Sequence, residues 1–389
     1  MLRSQMDRII DQVLLAAPRL SDIIFTAGKP IQAEVDGELR DIQTDPDLGR
    51  LKPFQTESLA RVAMGQNFRL YKDQVRSGSC DLTYVLPKKA RFRVNVFNQR
   101  GTVAMVMRRL AMEIPTIDGL DLPPMFNQMA DEQYGLILVT GGTGTGKSTS
   151  LAALIDSINE NQAKHIVTLE DPIEYLHRHK NSVVNQRELG NDFDTFASGL
   201  RAALRQAPKV ILVGEIRDRE TVNIALEAAE TGHLVLGTLH TSDTGQTISR
   251  IVGMYDTSEE RFIRMRLAES LKFVVSQRLM PRIKGGRVAA FEIMRNNLRV
   301  RETILRGEDA DTSFYTLVSE GDAYGMFTFD QYLRRLYEKG EISENIAVLN
   351  ASDKTYLKQM IDKIKVERGE EVTDIKGLEV DWSYDDTSG

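Results

Sequence analysis

The sequence predicts an α/β protein: a mixed α+β front third, then a parallel sheet layered by helices. Three observations carry that prediction. After residue 124, short apolar runs at 136–140, 166–169, 210–213 and 234–238 alternate with segments of helical period. Strand, helix, strand in alternation is the pattern of a parallel sheet covered by helices. Before residue 111 the runs are shorter and mix both periods. Between the two parts lies 111–124, with Pro115, Gly119, Pro123 and Pro124, a composition that interrupts regular structure and marks a boundary.

The elements follow in order. Ile9, Ile10, Val13 and Leu14 share one helical face. Short apolar strands come next, with a turn signal at Asp36-Gly37. Residues 43–56 are polar, contain Pro46, Gly49 and Pro53, and read as a loop. Residues 91–97 alternate, with Phe92, Val94 and Val96 on one face and Arg91, Arg93 and Asn95 on the other. A second strand-like run spans 102–108, and Asn98-Gln99-Arg100-Gly101 joins the two as a hairpin. Arg93 and Arg108 then fall roughly opposite each other. Like charges across a ladder destabilise it, so the pair either faces an anion or splays into water. From about residue 258 onward the pattern is helical, broken at Gly285-Gly286.

Composition narrows the function classes. A chain of 389 residues implies two or three domains. With 41% hydrophobic and 27% charged residues, disorder throughout is excluded. No apolar run approaches the ~18 residues of a membrane span, and Val13–Ala17 before Pro18 is too short for a secretory signal. A cytoplasmic location is expected. Cys80 is the single cysteine, so a disulfide within the chain and a tetracysteine zinc site are excluded. The net charge of −6 resides wholly in 367–389. The neutral remainder argues against a nucleic-acid binder. The acidic tail, with Trp382, reads as a solvated, disordered segment or as a docking segment.

Residues 141–148, Gly-Gly-Thr-Gly-Thr-Gly-Lys-Ser, match the phosphate-binding P-loop G-x-x-x-x-G-K-[ST]. The strand Leu136–Val139 precedes it, and Leu151, Leu154, Ile155 and Ile158 mark a helix behind it. Glycines let backbone N–H groups converge on phosphate oxygens, and the helix presents its N-terminus to the anion. Lys147 would reach the β- and γ-phosphates, and Ser148 would ligate Mg²⁺. The nucleotide-binding set is thus Gly141, Gly142, Thr143, Gly144, Thr145, Gly146, Lys147, Ser148 and Thr149.

Two strands end in acids. Thr168-Leu169-Glu170-Asp171-Pro172-Ile173-Glu174 places Glu170 and Asp171 at a strand C-terminus, the ligand side of a parallel sheet. A carboxylate there can orient and deprotonate water; an acidic helix cap at Asp171-Pro172 is the alternative. Val210–Glu215 resembles a Walker B strand with Gly214 in place of the usual aspartate. Glu215 then serves Mg²⁺ through a water or shares the base role, unless it merely ends a buried strand. His233 and His240 flank a short strand, and an odd separation sets them on opposite faces. His240 could sense the γ-phosphate, whereas His233 reads as structural or interfacial.

The loop Gly141–Ser148, the acidic box Thr168–Tyr175, the atypical Walker B Val210–Asp218 and the histidine box Thr231–Thr241 stand in the order of the secretion ATPases. From about residue 20 to about residue 365 the chain resembles the branch that powers type IV pilus retraction, the PilT and PilU types. Leu204–Pro208, Glu215–Thr221, Ser276–Arg282 and Gly325–Gln331 look more like the PilU type. Near Leu298–Arg306, where the PilT type usually carries Ala-Ile-Arg-Asn-Leu-Ile, this chain reads Leu-Arg-Val-Arg-Glu-Thr-Ile-Leu-Arg. The resemblance implies a PAS-like N-terminal domain at 1–110, a linker at 111–124, a RecA-like ATPase domain at 125–298 and a helical region at 299–366. It implies ATP and Mg²⁺, with Glu170 as base, Glu215 at the metal, His233 and His240 as the histidine pair, and Arg93 and Arg108 reaching the nucleotide. It further implies a homohexamer on the cytoplasmic face of the inner membrane, docked on a platform protein, with or without a second retraction ATPase.

Overall fold

In the computed structural model, which describes residues 1–309 and 312–370, two sheets follow one another along the chain. Helix α1 (Arg3–Ala16) buries Met6, Ile9, Ile10 and Val13, the stripe its sequence spacing dictates. Strands β1 (Leu20–Phe25), β2 (Ile31–Val35) and β3 (Glu38–Ile42) come next. Helices α2 (Pro53–Met64) and α3 (Phe68–Ser77) precede β4 (Ser79–Leu86), β5 (Ala90–Gln99) and β6 (Thr102–Leu110). The sheet order is β3-β2-β1-β6-β5-β4, with every pair antiparallel. Phe25, Phe92, Val94 and Met107 are fully covered beneath α1 and α2. The β5–β6 register sets Arg93 directly opposite Arg108. One expectation fails here: the loop over 43–56 stops short, because Pro53 opens α2 at its first turn, where a missing N–H costs nothing.

The second part begins at α4 (Met125–Asp131) and β7 (Gly135–Thr140), followed by α5 (Lys147–Asn161), β8 (His165–Glu170) and β9 (Val183–Glu188). Then come α6 (Phe196–Leu204), β10 (Val210–Val213), α7 (Arg219–Glu230), β11 (Leu234–Leu239), α8 (Thr244–Val252) and α9 (Thr257–Ser270). Strands β12 (Leu271–Pro281) and β13 (Arg287–Arg295) complete a sheet of order β13-β12-β7-β11-β10-β8-β9. All neighbours are parallel except β12 and β13. Alternate residues of each apolar run feed opposite cores. Leu136, Leu138 and Val235 pack on the side of α6–α9, and Ile137, Val139 and Leu236 on the side of α4 and α5. That is why these strands read as unbroken apolar runs.

The expected helical pattern from residue 258 is corrected. It holds through α9, but Leu271–Arg295 is an antiparallel hairpin inside the sheet. Burial on both faces removes any alternation from Phe273-Val274-Val275, so a buried strand and a buried helix look alike there. Helices α10 (Leu298–Arg306), α11 (Phe314–Ser319), α12 (Phe329–Glu338), α13 (Glu344–Leu349) and α14 (Lys354–Glu367) close the described chain. Most of the acidic tail, 371–389, lies outside the described residues. Among the described residues no helix is long and apolar enough to cross a membrane.

Candidate active site

The loop 141–146 runs from the C-terminal end of β7 into the N-terminus of α5. Two of its glycines answer to a neighbouring strand. At Gly141, φ is +142° and a Cβ would lie 2.4 Å from the Gln277 carbonyl oxygen. At Gly146 a Cβ would meet Gln277 Nε2 at 2.8 Å. Strand β12 is therefore the floor of the loop, and Ser150 Oγ donates to Gln277 Oε1 at 3.0 Å. Gly142, Thr143 and Gly144 are exposed, while Thr145 Oγ1 donates to the Gly142 carbonyl at 2.9 Å. Lys147 Nζ donates to the carbonyls of Gly141 and Gly142, each at 2.8 Å. Burial pushes the Lys147 ammonium below the usual lysine range, against the pull of Glu215. Ser148 lies exposed in the first turn of α5, and Thr149 Oγ1 is 3.2 Å from the Tyr175 hydroxyl.

Ser148 and Glu170 line one crevice, together with Gly214 and Thr238. Glu170 Oε1 accepts from Thr168 Oγ1 at 2.6 Å and from Gln186 Nε2 at 2.9 Å. Burial raises the pKa of Glu170 overall, although both donors and Arg91 oppose it. No helix starts at Asp171-Pro172, so the helix-cap alternative is not met. Gly214 has a geometric reason to replace an aspartate: a Cβ there would meet the Leu169 carbonyl oxygen at 2.7 Å and Glu170 Cα at 3.2 Å. The strand ends of β8 and β10 are too close for a side chain. The first carboxylate after β10 is Glu215.

Glu215 is gripped by Arg217, whose Nη2 donates at 2.6 Å, and His240 Nε2 lies 3.1 Å away. Burial pushes the Glu215 carboxyl up, but Arg217, His240 and Lys147 outweigh it and hold it below the ordinary range. The two acids are thus driven apart, Glu170 upward and Glu215 downward. Opposed shifts of this kind are what acid and base assignments in a site are built from.

The family described as "Type II/IV secretion system protein" matches residues 31–368. The chain belongs to that family. This secretion ATPase is 43% identical over 327 residues to the "Type IV pilus retractation ATPase PilT" of Pseudomonas aeruginosa, covering 84% of this chain and 93% of that one. It is 38% identical over 371 residues to the "Type IV pilus ATPase PilU" of the same organism, covering 95% of each. Among solved structures, the pilus retraction motor PilT with bound ADP superposes with a TM-score of 0.81 at 42% identity, over 91% of this chain and 98% of that one.

Not every expected residue reaches the loop within one chain of this ATPase. His233 precedes β11, and its Nδ1 is 2.9 Å from the Ala228 carbonyl. It stands at the far end of a six-residue strand from His240, about 20 Å away. Arg108 Nε donates to the buried Asp22 at 3.0 Å. Arg93 lies 4.0 Å from Asp81 and lines a cleft with Asp171 and Pro172. The like-charge pair is therefore separated, each arginine taking its own aspartate. Sequence reasoning passed over Arg91, Arg217, Gln186 and Gln277. Arg91 stood on the predicted polar face beside Arg93, and Arg217 directly follows the Walker B strand. Gln186 lies on a strand that carried no motif, and Gln277 lies in the PilU-like run Ser276–Arg282, which assigned it no role.

Proposed function

We propose that this chain is an ATP-hydrolysing motor for type IV pilus retraction. The observation that carries the reading is the shared crevice of Ser148 and Glu170, with Glu215 held by Arg217 and His240. Lys147 binds the phosphates. Glu170 orients the attacking water and takes its proton. Ser148 and Glu215 offer the hard oxygen donors that suit Mg²⁺, and when bound the ion neutralises phosphate charge. His240 holds Glu215 on the γ-phosphate side. Arg93 and Arg108 complete the site when the front part closes on the nucleotide. The division into 1–110, 111–124, 125–298 and 299–366 belongs to the same proposal, with the β12–β13 hairpin counted in the ATPase part. So do a homohexamer and a platform protein at the cytoplasmic face of the inner membrane.

A second reading, an accessory ring that supports another retraction ATPase, rests on the PilU-like runs and on one departure from the PilT type. Helix α10 carries Leu-Arg-Val-Arg-Glu-Thr-Ile-Leu-Arg where the PilT type has a different motif. Complementation of a retraction-deficient strain decides between the two. The intact gene is expected to restore twitching and its Lys147→Ala version is not. Restoration only when a second retraction ATPase is present would establish the accessory role.

A further inference from the structure

The polar face of β4 and β5 is turned toward the β9 edge of the second sheet, and one buried cation crosses between them. Arg91 is 3% exposed. Its Nη2 donates to the Ile173 carbonyl at 3.0 Å and its Nη1 to the Glu174 carbonyl at 3.4 Å. Beside it, Thr83 Oγ1 donates to Glu188 Oε2 at 3.2 Å, and the same oxygen accepts the Ile173 N–H at 3.2 Å. Glu188 is 8% exposed and pairs with Glu170 in the β8–β9 register. The main chain leaving Glu170 is therefore gripped at its carbonyls by Arg91, and at one N–H by the acid that Thr83 touches.

Such an arrangement is costly unless it does something. Burying a guanidinium carries a desolvation penalty that carbonyl partners offset only in part, and Arg91 Nε has no hydrogen-bond partner at all. Burial pulls the Arg91 pKa down, and the nearby Glu188 and Glu170 carboxylates pull it back up. A hydrophobic residue on this strand face would seat the sheet without that penalty. What it could not do is aim a fork of donors at two consecutive carbonyls.

We propose that Arg91 is a positioning residue for Glu170. It fixes the loop at 173–174 from the front sheet, and so makes the aim of the base depend on how that sheet is seated. The proposal rests on the reading of Glu170 as general base. Arg91 hydrogen-bonds the main chain at 173 and 174. It acts through the backbone of the acidic box, whereas Arg93, two residues on, faces the open cleft.

The test uses the full-length chain, with steady-state ATP hydrolysis and separate titration of fluorescent ADP. Arg91→Met is expected to lower kcat about 100-fold, the scale of a misplaced reacting group, with KM and ADP affinity held within about threefold. Arg91→Lys keeps the charge without the fork and is expected to lose about tenfold in kcat. Because Arg91→Met removes the partner of two half-buried carbonyls and could fail to fold, the lysine variant carries the same test alone. Millimolar guanidinium should raise turnover of Arg91→Ala and leave Glu170→Gln unmoved. Wild-type kcat in Arg91→Lys and Arg91→Met overturns the proposal. So does a loss that tracks ADP affinity and melting temperature and is not relieved by guanidinium. A Glu170→Gln variant with full turnover removes the base reading itself. A dead Glu170→Gln with undiminished Arg91 variants removes only the positioning role.

Discussion

At Gly214 the chemistry of the site and the packing of two strands meet in one atom. Gly214→Ala forces a methyl into the Leu169 carbonyl. It is expected to cost about 1–3 kcal/mol by overpacking, seen as a lowered urea midpoint, with turnover falling as Glu170 is displaced. Asp in the same place should be worse, despite restoring the usual Walker B letter. Another single residue contributes to the pH dependence of stability. His177 is buried with its Nδ1 3.9 Å from Asp156 Oδ1. Burial drives its pKa from 6.5 down to about 4, although Asp156 resists. The unfolded chain therefore binds a proton that the folded one refuses. Stability present above about pH 6.5 is lost as pH falls toward 4, by up to about 3 kcal/mol. Urea unfolding of His177→Gln should show a flatter dependence between pH 7 and 5. The P-loop and both carboxylates were legible in the sequence because their chemistry fixes their neighbours in the chain. Arg91 and Gln277 were not, since their partners lie on other elements.

At the scale of elements, the C-terminal helices are fastened to the sheet by buried acids. Asp330, fully buried, accepts from Ser352 N–H at 2.7 Å, Asp353 N–H at 2.9 Å and the Tyr315 hydroxyl at 3.0 Å. Glu292 on β13 accepts from Thr244 N–H and Oγ1, each at 2.9 Å, and from Phe329 N–H at 3.4 Å. It thereby joins the starts of α8 and α12. Asp330→Ala strands those donors and should cost about 3 kcal/mol. Limited proteolysis is expected to cut first within α13 and α14, whereas uniform digestion would mean the helices do not depend on this acid. The parallel strands β7, β8, β10 and β11 were readable as apolar runs. The β12–β13 hairpin was hidden by burial on both faces, and β9 by its polar sequence Val-Val-Asn-Gln-Arg-Glu, which an edge position permits.

For the molecule as a whole, the relation between the two sheets is the quantity to measure. Glu188→Ala removes an acceptor shared by Thr83 and Ile173. Hydrogen exchange at the Ile173 amide should quicken at least tenfold, with the P-loop amides unchanged; equal change in both would mean general loosening. The order of the two sheets could be read from where the sequence pattern switches, but their mutual seating could not, because it is made by Thr83, Arg91 and Glu188 across more than eighty residues of chain. The floor beneath Gly141 has a mechanical corollary. The β12–β13 ladder pairs Gln277 with Phe291 and Ser276 with Glu292, so a shift at Gln277 is expected to reach β13 through that ladder. The distal helices hang from that same beam through Glu292 and Asp330. ADP arriving at the loop should therefore slow exchange at the Ser352 and Asp353 amides, and unchanged exchange there would show the beam to be slack.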